Sequence, residues 1–413
     1  MSRIETPPPS RVFFSVGEPS GDLHGANLIR ALRASDPTIE IRGMGGPKME
    51  TAGMQVIEDL TRLAVMGIVH VLLNLRHFWI ALRRVSKSLD QWQPDAVVLI
   101  DFPGFNWWVA RCARKRGIPV FYYGVPQLWA WGRWRLKKMR KLVDHVLCKL
   151  PFEAEWYQQH GCKAHYVGHP YFDELASHSL DQDLVQALRK TDQPLVTLLP
   201  GSRRQEVKNN LPTQLRAAAV VQQARPNVRF AIASFNAQQA LMAEAILENS
   251  DLKAEVHVGK ATELIVAADI CLACSGSVSL ELLYHGRPAV IVYHVRRLMW
   301  FVGRWLLLTV RYITLVNLLA CEDRFDLAKG PYGRDSADSE QVPFPEYATY
   351  WDCSETVAEH VIQWLGDPAV YHRRVRQLEQ LRGQLVSAGA TDRAADYILD
   401  QLRIAPDESR EAA

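Results

Sequence analysis

Residues 267–288, AADICLACSGSVSLELLYHGRP, decide the fold class of this 413-residue chain. The short apolar run DICLAC is typical of a buried strand, and a helical pattern that carries Glu281 follows the turn Ser275-Gly276-Ser277. Such a turn offers backbone N–H groups and hydroxyls to a phosphate, and Glu281 could accept hydrogen bonds from two ribose hydroxyls. The alternative interpretation is a helix cap without a ligand, which explains the serines but not Gly276.

The same succession of strand, turn and helix recurs in both halves of the chain. Strand-like runs begin at residues 11, 94, 118, 145 and 164, and a second series begins at 194, 228, 269 and 288, after a polar stretch near residue 175. Short apolar runs separated by helical stretches predict parallel sheets covered on both faces. We therefore predict an α/β fold with two Rossmann-like, doubly wound domains and an interdomain cleft. The predicted parts are domains over 11–175 and 176–350, helices over 351–403 that pack back across the domains, and disordered tails at 1–10 and 404–413.

Composition excludes several other classes of protein. The formal net charge is only +3, which argues against nucleic acid as a partner. The seven cysteines are scattered and form no paired CxxC motifs, which favours a reducing cytoplasm and argues against a metal site. The sequence contains no run of about 20 apolar residues, so we predict no membrane span.

Two candidate sites fall in the first half of the chain, each after a strand-like run. In SVGEPSGDLHGA (15–26), the small residues Ser20 and Gly21 and the start of a helix would favour an anionic ligand. Asp22 belongs to the same candidate site, and His24, one turn further on, is a candidate acid or base. Alternatively, Ser20 or Asp22 only caps the helix. In LIDFPG (99–104), Asp101 could act as general base on an acceptor hydroxyl. Alternatively, it could cap a turn or form an ion pair with a neighbouring basic side chain.

A third candidate site, LLPGSRRQEV (198–207), lies in the second half of the chain. An apolar run leads into a turn at Ser202, which Arg203 follows. An arginine there could neutralise a diphosphate leaving group, so that no metal or other cofactor is needed. The alternative is an ordinary surface arginine beside Arg204.

Three segments combine arginine, tryptophan and aliphatic residues. They are LLNLRHFWIALRRV (72–85), GRWRLKKMRK (132–141), which has Trp129 and Trp131 just before it, and RRLMWFVGRWLLLTVRY (296–312). Basic residues beside tryptophan and leucine are typical of helices that lie in the headgroup layer of a membrane. Amphipathic core helices with solvated arginines are the alternative.

Eight sequence segments, in the same order, resemble those of the lipid-A-disaccharide synthases. They are GEPSGDLHGA (17–26), GMGGPKMETAGM (43–54), LAVMGIVHVL (63–72), WAWGRWR (129–135), LPFE (150–153), YVGHP (166–170), LPGSRRQEV (199–207) and SGSVSLE (275–281). Several motifs in one order are far more specific than a single glycine-rich loop.

This resemblance implies a GT-B fold and a hexosyltransferase. The implied donor is UDP-2,3-diacylglucosamine, the acceptor is 2,3-diacylglucosamine 1-phosphate, and the products are a β-1,6-linked disaccharide and UDP. Asp101 matches the family's essential aspartate, Arg203 its GSR arginine, and Asn317 the asparagine of its LPNLL segment. Ser275, Gly276 and Glu281 match its nucleotide-binding turn and helix. The implied location is cytoplasmic, peripheral on the inner face of the cytoplasmic membrane, and a homodimer is compatible with the sequence.

The chain also departs from the family pattern. Gly104 replaces a second acidic residue, Val316 replaces the proline of LPNLL, and VPFPEYATY (342–350) retains only a loose match at Glu346. The polar stretch DLAKGPYGRDSADSEQ (326–341) separates the last two pieces. These departures concern the acceptor side and the acyl chains rather than the donor phosphates.

Two other functions remain open at this point. UDP-N-acetylglucosamine 2-epimerases share the two-domain plan and a similar nucleotide site, although a water-soluble substrate needs no membrane surface. A nucleotide- or lipid-binding protein without catalytic activity is the other. Fold alone does not distinguish among these possibilities.

Overall fold

Continuous apolar runs form the central strands, because a parallel sheet with helices on both faces buries both sides of each strand. Every residue of AVVLI (96–100) and of LVTLL (195–199) is buried. The computed structural model describes residues 9–61, 75–303, 307–336 and 338–411. The described residues divide into a first unit, up to Asp173 together with those from Ser387 onward, and a second unit, Glu174–Val386.

The first unit contains a parallel sheet of seven strands in the order β3-β2-β1-β4-β5-β6-β7, counted over the described residues. Its strands are β1 Arg11–Val16, β2 Glu40–Met44, β3 Gln55–Glu58, β4 Ala96–Ile100, β5 Val120–Tyr123, β6 His145–Cys148 and β7 Ala164–Tyr166. Its helices, numbered along the chain, are α1 Pro19–Ser35, α2 Pro47–Thr51, α3 Leu75–Trp92, α4 Pro103–Arg114, α5 Leu136–Leu142, α6 Pro151–Gln159 and α17 Ala390–Glu411. Helix α7, Pro170–Ser177, continues from this unit into the second.

The second unit contains a parallel sheet with the order β10-β9-β8-β11-β12-β13. Its strands are β8 Leu195–Leu199, β9 Arg229–Ser234, β10 Glu255–Val258, β11 Ile270–Ala273, β12 Ala289–His294 and β13 Glu346–Thr349. Its helices are α8 Gln182–Arg189, α9 Arg204–Ala224, α10 Ala237–Leu247, α11 Ala261–Ala267, α12 Val278–Tyr284, α13 Arg297–Val302, α14 Leu315–Ala320, α15 Ser354–Gly366 and α16 Pro368–Leu385.

Both sheets have the Rossmann strand order. In each sheet the chain adds strands first on one side of the first strand and then on its other side. This change of side lies between β1 and β4 in the first unit and between β8 and β11 in the second, where the paired strands are parallel neighbours. Ligands of open α/β sheets bind at such switch points, beyond the carboxyl ends of the strands. The sheet order therefore singles out the loops after β1, β4, β8 and β11.

The C-terminal helices belong to different units. Helix α15 packs on α9 in the second core through Val357, Val361 and Trp364. Helix α17 packs on α1 in the first core through Ala395, Ile398 and other apolar residues. The division after Asp173 lies close to the predicted boundary at 175, whereas the boundary predicted at 350 falls inside the second unit.

The C-terminal segment is helical rather than disordered. Helix α17 continues to Glu411, through most of the 404–413 segment for which the sequence predicts disorder. Residues 1–8 of the other predicted tail, and 63–72 of the family-like segments, lie outside the described residues. No helix in the described part of the chain is long and apolar enough to cross a membrane.

Candidate functional site

Most of the predicted site residues lie at the switch points of the two sheets. Asp101 directly follows β4, and the Ser20–Asp22 turn begins α1, after β1. In the second unit, Ser202 and Arg203 follow β8, and Ser275–Ser277 follow β11. The rule that parallel strands present their carboxyl ends at one edge accounts for this placement.

The backbone at Asp101 is held in an unusual conformation. Asp101 and Phe102 have φ angles of 45° and 44°, in the left-handed region that residues with a Cβ rarely adopt. The Asp101 carbonyl accepts hydrogen bonds from Asn106 Nδ2 at 2.8 Å and from the Tyr122 hydroxyl at 2.7 Å. Asn106 Nδ2 also donates to the carbonyl of Ser15 at the end of β1. Asn106 thus joins the ends of the two strands at the switch point and fixes the direction of the Asp101 side chain.

A lysine that the sequence analysis missed lies beside the Asp101 carboxylate. Lys149 Nζ is 3.6 Å from Asp101 Oδ1, and both side chains are mostly buried. A Cβ added to Gly124 would lie 3.0 Å from the same carboxylate oxygen, and one on Gly21 would lie 3.7 Å from the other. Lys149 follows β6 directly, so the strand-end rule that selects Asp101 could have selected Lys149 as well.

Glu153 holds the backbone at Lys149. Its carboxylate accepts from Lys149 N–H at 3.0 Å and from Trp129 Nε1 at 2.8 Å. Burial raises the pKa of Glu153 to about 7, against the opposing effect of these hydrogen bonds. Trp129 is fully buried, so it does not belong to the exposed membrane-type segment in which the sequence analysis placed it.

Asp22 has a different role from the predicted one. Helix α1 begins with Glu18 as N-cap and Pro19 in its first turn, so neither Ser20 nor Asp22 caps it. The buried Asp22 carboxylate instead accepts from the backbone N–H groups of Gly46, Lys48 and Met49 at 2.9–3.1 Å. Because these groups begin α2, Asp22 caps that helix from a distance. The assignment of Asp22 to ligand binding is therefore corrected, whereas Ser20 remains exposed.

His24 is half-buried on α1, and His169 lies within its electrostatic range. Burial lowers the pKa of His169 well below the usual value, and the nearby Lys149 and His24 add to that effect. His169 Nδ1 accepts a hydrogen bond from the backbone N–H of Tyr171. The role of His24 as an acid or base stays a prediction.

In the second unit, the turn after β8 presents Arg203 to solvent. The Arg203 side chain is 82% exposed, with Nη1 3.2 Å from Glu206 Oε1. The other oxygen of Glu206 accepts from the backbone N–H groups of Ser202 and Arg203. Gly201 has φ +129°, and a Cβ there would lie 2.5 Å from Glu206. Glu206 therefore shapes this turn, and its exposed ion pair with Arg203 is weak enough to exchange for a ligand anion.

The Ser275–Ser277 turn has the conformation that glycine permits. Gly276 has φ +148°, and a Cβ there would meet open space. Gly276 and Ser277 are exposed, and Ser275 Oγ donates to the carbonyl of Ile313 at 3.1 Å. Glu281 is only 5% exposed, and the Thr262 hydroxyl donates to it at 2.6 Å. The contact between Glu281 and ribose hydroxyls stays a prediction. Because Glu281 is buried, this contact requires the ribose to enter below the protein surface.

Asn317 holds a loop rather than facing a ligand. It is fully buried, its Nδ2 donates to Phe344 O at 2.7 Å and to Glu346 Oε2 at 2.9 Å, and its Oδ1 accepts from Phe344 N–H. Glu346 in turn accepts from the N–H groups of Ile313 and Thr314. The predicted substrate contact of Asn317 is therefore corrected. Both residues support the loop that receives the Ser275 hydroxyl.

Comparison with solved structures identifies the fold. A putative UDP-N-acetylglucosamine 2-epimerase from Listeria monocytogenes is similar with a TM-score of 0.61 and 11% identity, over 97% of both chains. A calicheamicin glycosyltransferase is similar with a TM-score of 0.57 and 16% identity, over 96% of this chain and 100% of the other. At such identities the likeness shows the fold alone. It confirms the predicted GT-B fold, which glycosyltransferases and epimerases share.

Sequence comparison then gives the family. The family model for lipid-A-disaccharide synthetase matches residues 12–327. A lipid-A-disaccharide synthase from Trichlorobacter lovleyi is 35% identical over 396 residues, which cover 95% of this chain and 98% of that protein. The chain belongs to the lipid-A-disaccharide synthetase family, and it is a glycosyltransferase. The epimerase alternative is not favoured.

Proposed function

We propose that this enzyme transfers 2,3-diacylglucosamine from UDP-2,3-diacylglucosamine to 2,3-diacylglucosamine 1-phosphate, forming the β-1,6 disaccharide 1-phosphate and UDP. The observation that carries the proposal is the placement of Asp101, Arg203 and the Ser275–Ser277 turn at the switch points of sheets in a chain of this family. A UDP-sugar donor and a lipid acceptor follow from the family.

In the proposed mechanism, the acceptor's 6-hydroxyl attacks the anomeric carbon of the donor with inversion. Asp101 removes the hydroxyl proton, and the Lys149 ammonium, 3.6 Å away, orients the carboxylate. Arg203 and the N–H groups and hydroxyls of the Ser275–Ser277 turn stabilise the negative charge that develops on the departing UDP. Ser20, Gly21 and Ser202 would contribute to the walls of the substrate sites.

The Asp101→Asn variant tests this assignment. We expect turnover to fall at least about 100-fold, because a general base contributes roughly 10²–10⁴ to the rate. Both acylated substrates should be supplied and the lipid product identified by mass spectrometry. Asp90→Asn is the control, since Asp90 is exposed and pairs with Arg116. Near-normal turnover in a folded Asp101→Asn variant would remove Asp101 from the chemistry, and an epimerised sugar without acceptor consumption would replace the transferase with an isomerase.

We also propose that the enzyme binds the surface of an anionic membrane, where both acylated substrates reside. Trp79 and Trp134 are 51% and 65% exposed, and a guanidinium lies over each ring. In the segment 296–312, Leu298 and Met299 are exposed on α13. Arg311 of the same segment is buried in an ion pair with Asp323, so its predicted contact with the membrane surface was wrong. Co-sedimentation with lipid vesicles measures this association. A cytoplasmic location at the inner face of the membrane and a homodimer remain part of the same proposal.

A further inference from the structure

A cavity of about 470 Å³ lies in the second unit, away from the residues assigned to the donor. Helices α15 and α16 form part of its wall through Trp364 and Val370. Another part is formed by the loop residues Tyr332, Arg334, Asp335, Ser339 and Glu340. These loop residues belong to the polar stretch that departs from the family pattern, and they lie beyond residue 327, where the family match ends. The volume is within the range of small-molecule sites.

The cavity lining is cationic. Arg334, Arg373, Arg374 and Arg376 line it together with only two carboxylates, Asp335 and Glu340. His360, also in the lining, adds no charge, since burial and the nearby Arg334 and Arg374 lower its pKa to about 3. Arg334 forms an ion pair with Glu359, but the other three arginines still outnumber the two lining carboxylates, so the cavity has a net positive charge.

Arg374 forms no direct ion pair with a described residue of this cavity. It is half-buried, and its Nη1 donates to the carbonyls of Glu340 at 3.0 Å and Val342 at 2.8 Å and to Gln377 Oε1 at 3.2 Å. In the described part of the chain, no carboxylate oxygen lies within 4.0 Å of its guanidinium. Burial lowers the pKa of Arg374, and the neighbouring Arg373 contributes to that lowering. The Trp364 ring and, at longer range, the Glu340 charge also stabilise this cation. A partly desolvated cation without a direct ion pair gains from an anion that joins it.

The neighbouring ion pair leaves room for an anionic ligand. Arg373 Nη1 lies 3.0 Å from Glu340 Oε2, and the two side chains are 59% and 70% exposed. Such a solvated pair is weak, so Arg373 can exchange Glu340 for a ligand at little cost. Trp364 and Tyr332 are largely buried and support the cavity wall from behind, and the Arg374 guanidinium lies 5.9 Å from the Trp364 ring centroid.

We propose that this cavity is a second ligand site, which binds the phosphate group of a small phosphorylated molecule through Arg373, Arg374 and Arg376. Arginine is suited to this role because its planar fork of donors matches two phosphate oxygens at once. The lining includes neither Asp101 and Lys149 nor Arg203 and the Ser275–Ser277 turn, so the site is distinct from the residues assigned to the transfer step.

Calorimetric titration of the full-length protein with pyrophosphate, in the presence of saturating UDP, tests the proposal. UDP fills the proposed donor turn, so the binding that remains reports on the cavity. We expect Arg374→Gln and Arg376→Gln to weaken pyrophosphate binding at least about tenfold, since each removes a charge-assisted contact. Arg382→Gln is the control, because Arg382 is exposed on the same helix but does not line the cavity.

Two further arms keep the test decisive. Arg374 also supports two backbone carbonyls, so its replacement can impair folding, and the exposed Arg376→Gln then carries the result alone. Vesicles of phosphatidylcholine with phosphatidic acid replace pyrophosphate in a second titration. Binding to vesicles only, weakened by Arg376→Gln but not by Arg382→Gln, identifies a lipid headgroup as the source of the phosphate. The proposal fails if UDP abolishes all pyrophosphate and vesicle binding, or if Arg376→Gln and Arg382→Gln bind alike.

Discussion

Single residues at the first switch point carry backbone strain. Asp101 and Phe102 adopt left-handed φ angles, and a Cβ on Gly17 would lie 2.3 Å from the Phe102 ring. Strained residues of this kind persist only where surrounding contacts impose them, and they cluster at functional sites. Here the contacts are the hydrogen bonds of Asn106 and Tyr122 to the Asp101 carbonyl. Gly17, just before α1, therefore leaves the space that the Phe102 ring occupies.

At the residue scale, replacement of Asp22 distinguishes its capping role from ligand binding. Asp22→Ala leaves three backbone donors of α2 without their acceptor, so we expect the free energy of unfolding to fall by about 2 kcal/mol or more. Urea unfolding measures this change. Asp36→Ala should cost less, because among the described residues the Asp36 carboxylate accepts from Thr38 alone. Wild-type stability combined with lost substrate affinity would return Asp22 to the binding site.

At the scale of elements, a buried ion-pair network stabilises the long connection between α14 and β13 in the second unit. Arg311 is 1% exposed and forms ion pairs with Asp323 and Asp338, while its Nε donates to the Gly330 carbonyl. Hydrogen bonds with Arg311 lower the pKa of Asp338 to about 2. This buried network anchors both ends of the polar stretch that lines the arginine-rich cavity. A basic residue in an apolar context is thus a core residue here rather than a membrane contact.

The tryptophan-bearing elements of the first unit provide a test of membrane binding. Trp79 lies on α3, and Trp134 lies in the 3₁₀ turn Arg133–Arg135. Removing both exposed rings with Trp79→Ala and Trp134→Ala should weaken binding to anionic phosphatidylglycerol vesicles at least about tenfold, because each ring buries apolar surface in the headgroup layer. Trp351→Ala, which removes a 49% exposed ring outside the predicted membrane segments, is the control. Equal vesicle binding by all variants in co-sedimentation would contradict the membrane role.

At the scale of the whole molecule, buried histidines predict how stability depends on pH. Burial is the main cause that lowers the pKa of His145 and His285 to about 4 and that of His360 to about 3. These groups are neutral in the folded protein but take up protons when unfolded, near pH 6.5. Their contribution to stability is therefore present above pH 6.5 and is lost as the pH falls toward about 4. Glu153 acts in the opposite sense, since its stabilising contribution is lost as the pH rises through about 7.

Urea unfolding at a series of pH values between roughly 7.5 and 5 tests this expectation. We expect the unfolding midpoint to decrease on acidification, with His145 acting in the first unit and His360 in the second. His360→Gln should flatten the decrease for the second unit and leave the first unit unchanged. A midpoint that rises throughout this range would show that Glu153 outweighs the histidines.

The sequence by itself determined the two series of parallel strands, the family, and the positions of Asp101, Arg203 and Ser275–Ser277 at strand ends. Those features depend on neighbours along the chain: apolar runs form buried strands, and small or polar residues that follow them form the turns. Lys149 obeys the same rule and was missed because it stands alone, without a surrounding turn motif.

Only the tertiary structure decided that Asp22 caps α2, that Asn317 binds Glu346, that α17 completes the first core, and that four arginines line one cavity. In the clearest of these cases the partners are distant in sequence: Asp22 and Gly46 are 24 residues apart, and Asn317 and Glu346 are 29 apart. The order of the strands and the packing of the helices bring such partners together. Local patterns specify what each element is, whereas burial and hydrogen bonding between elements specify what each polar side chain does.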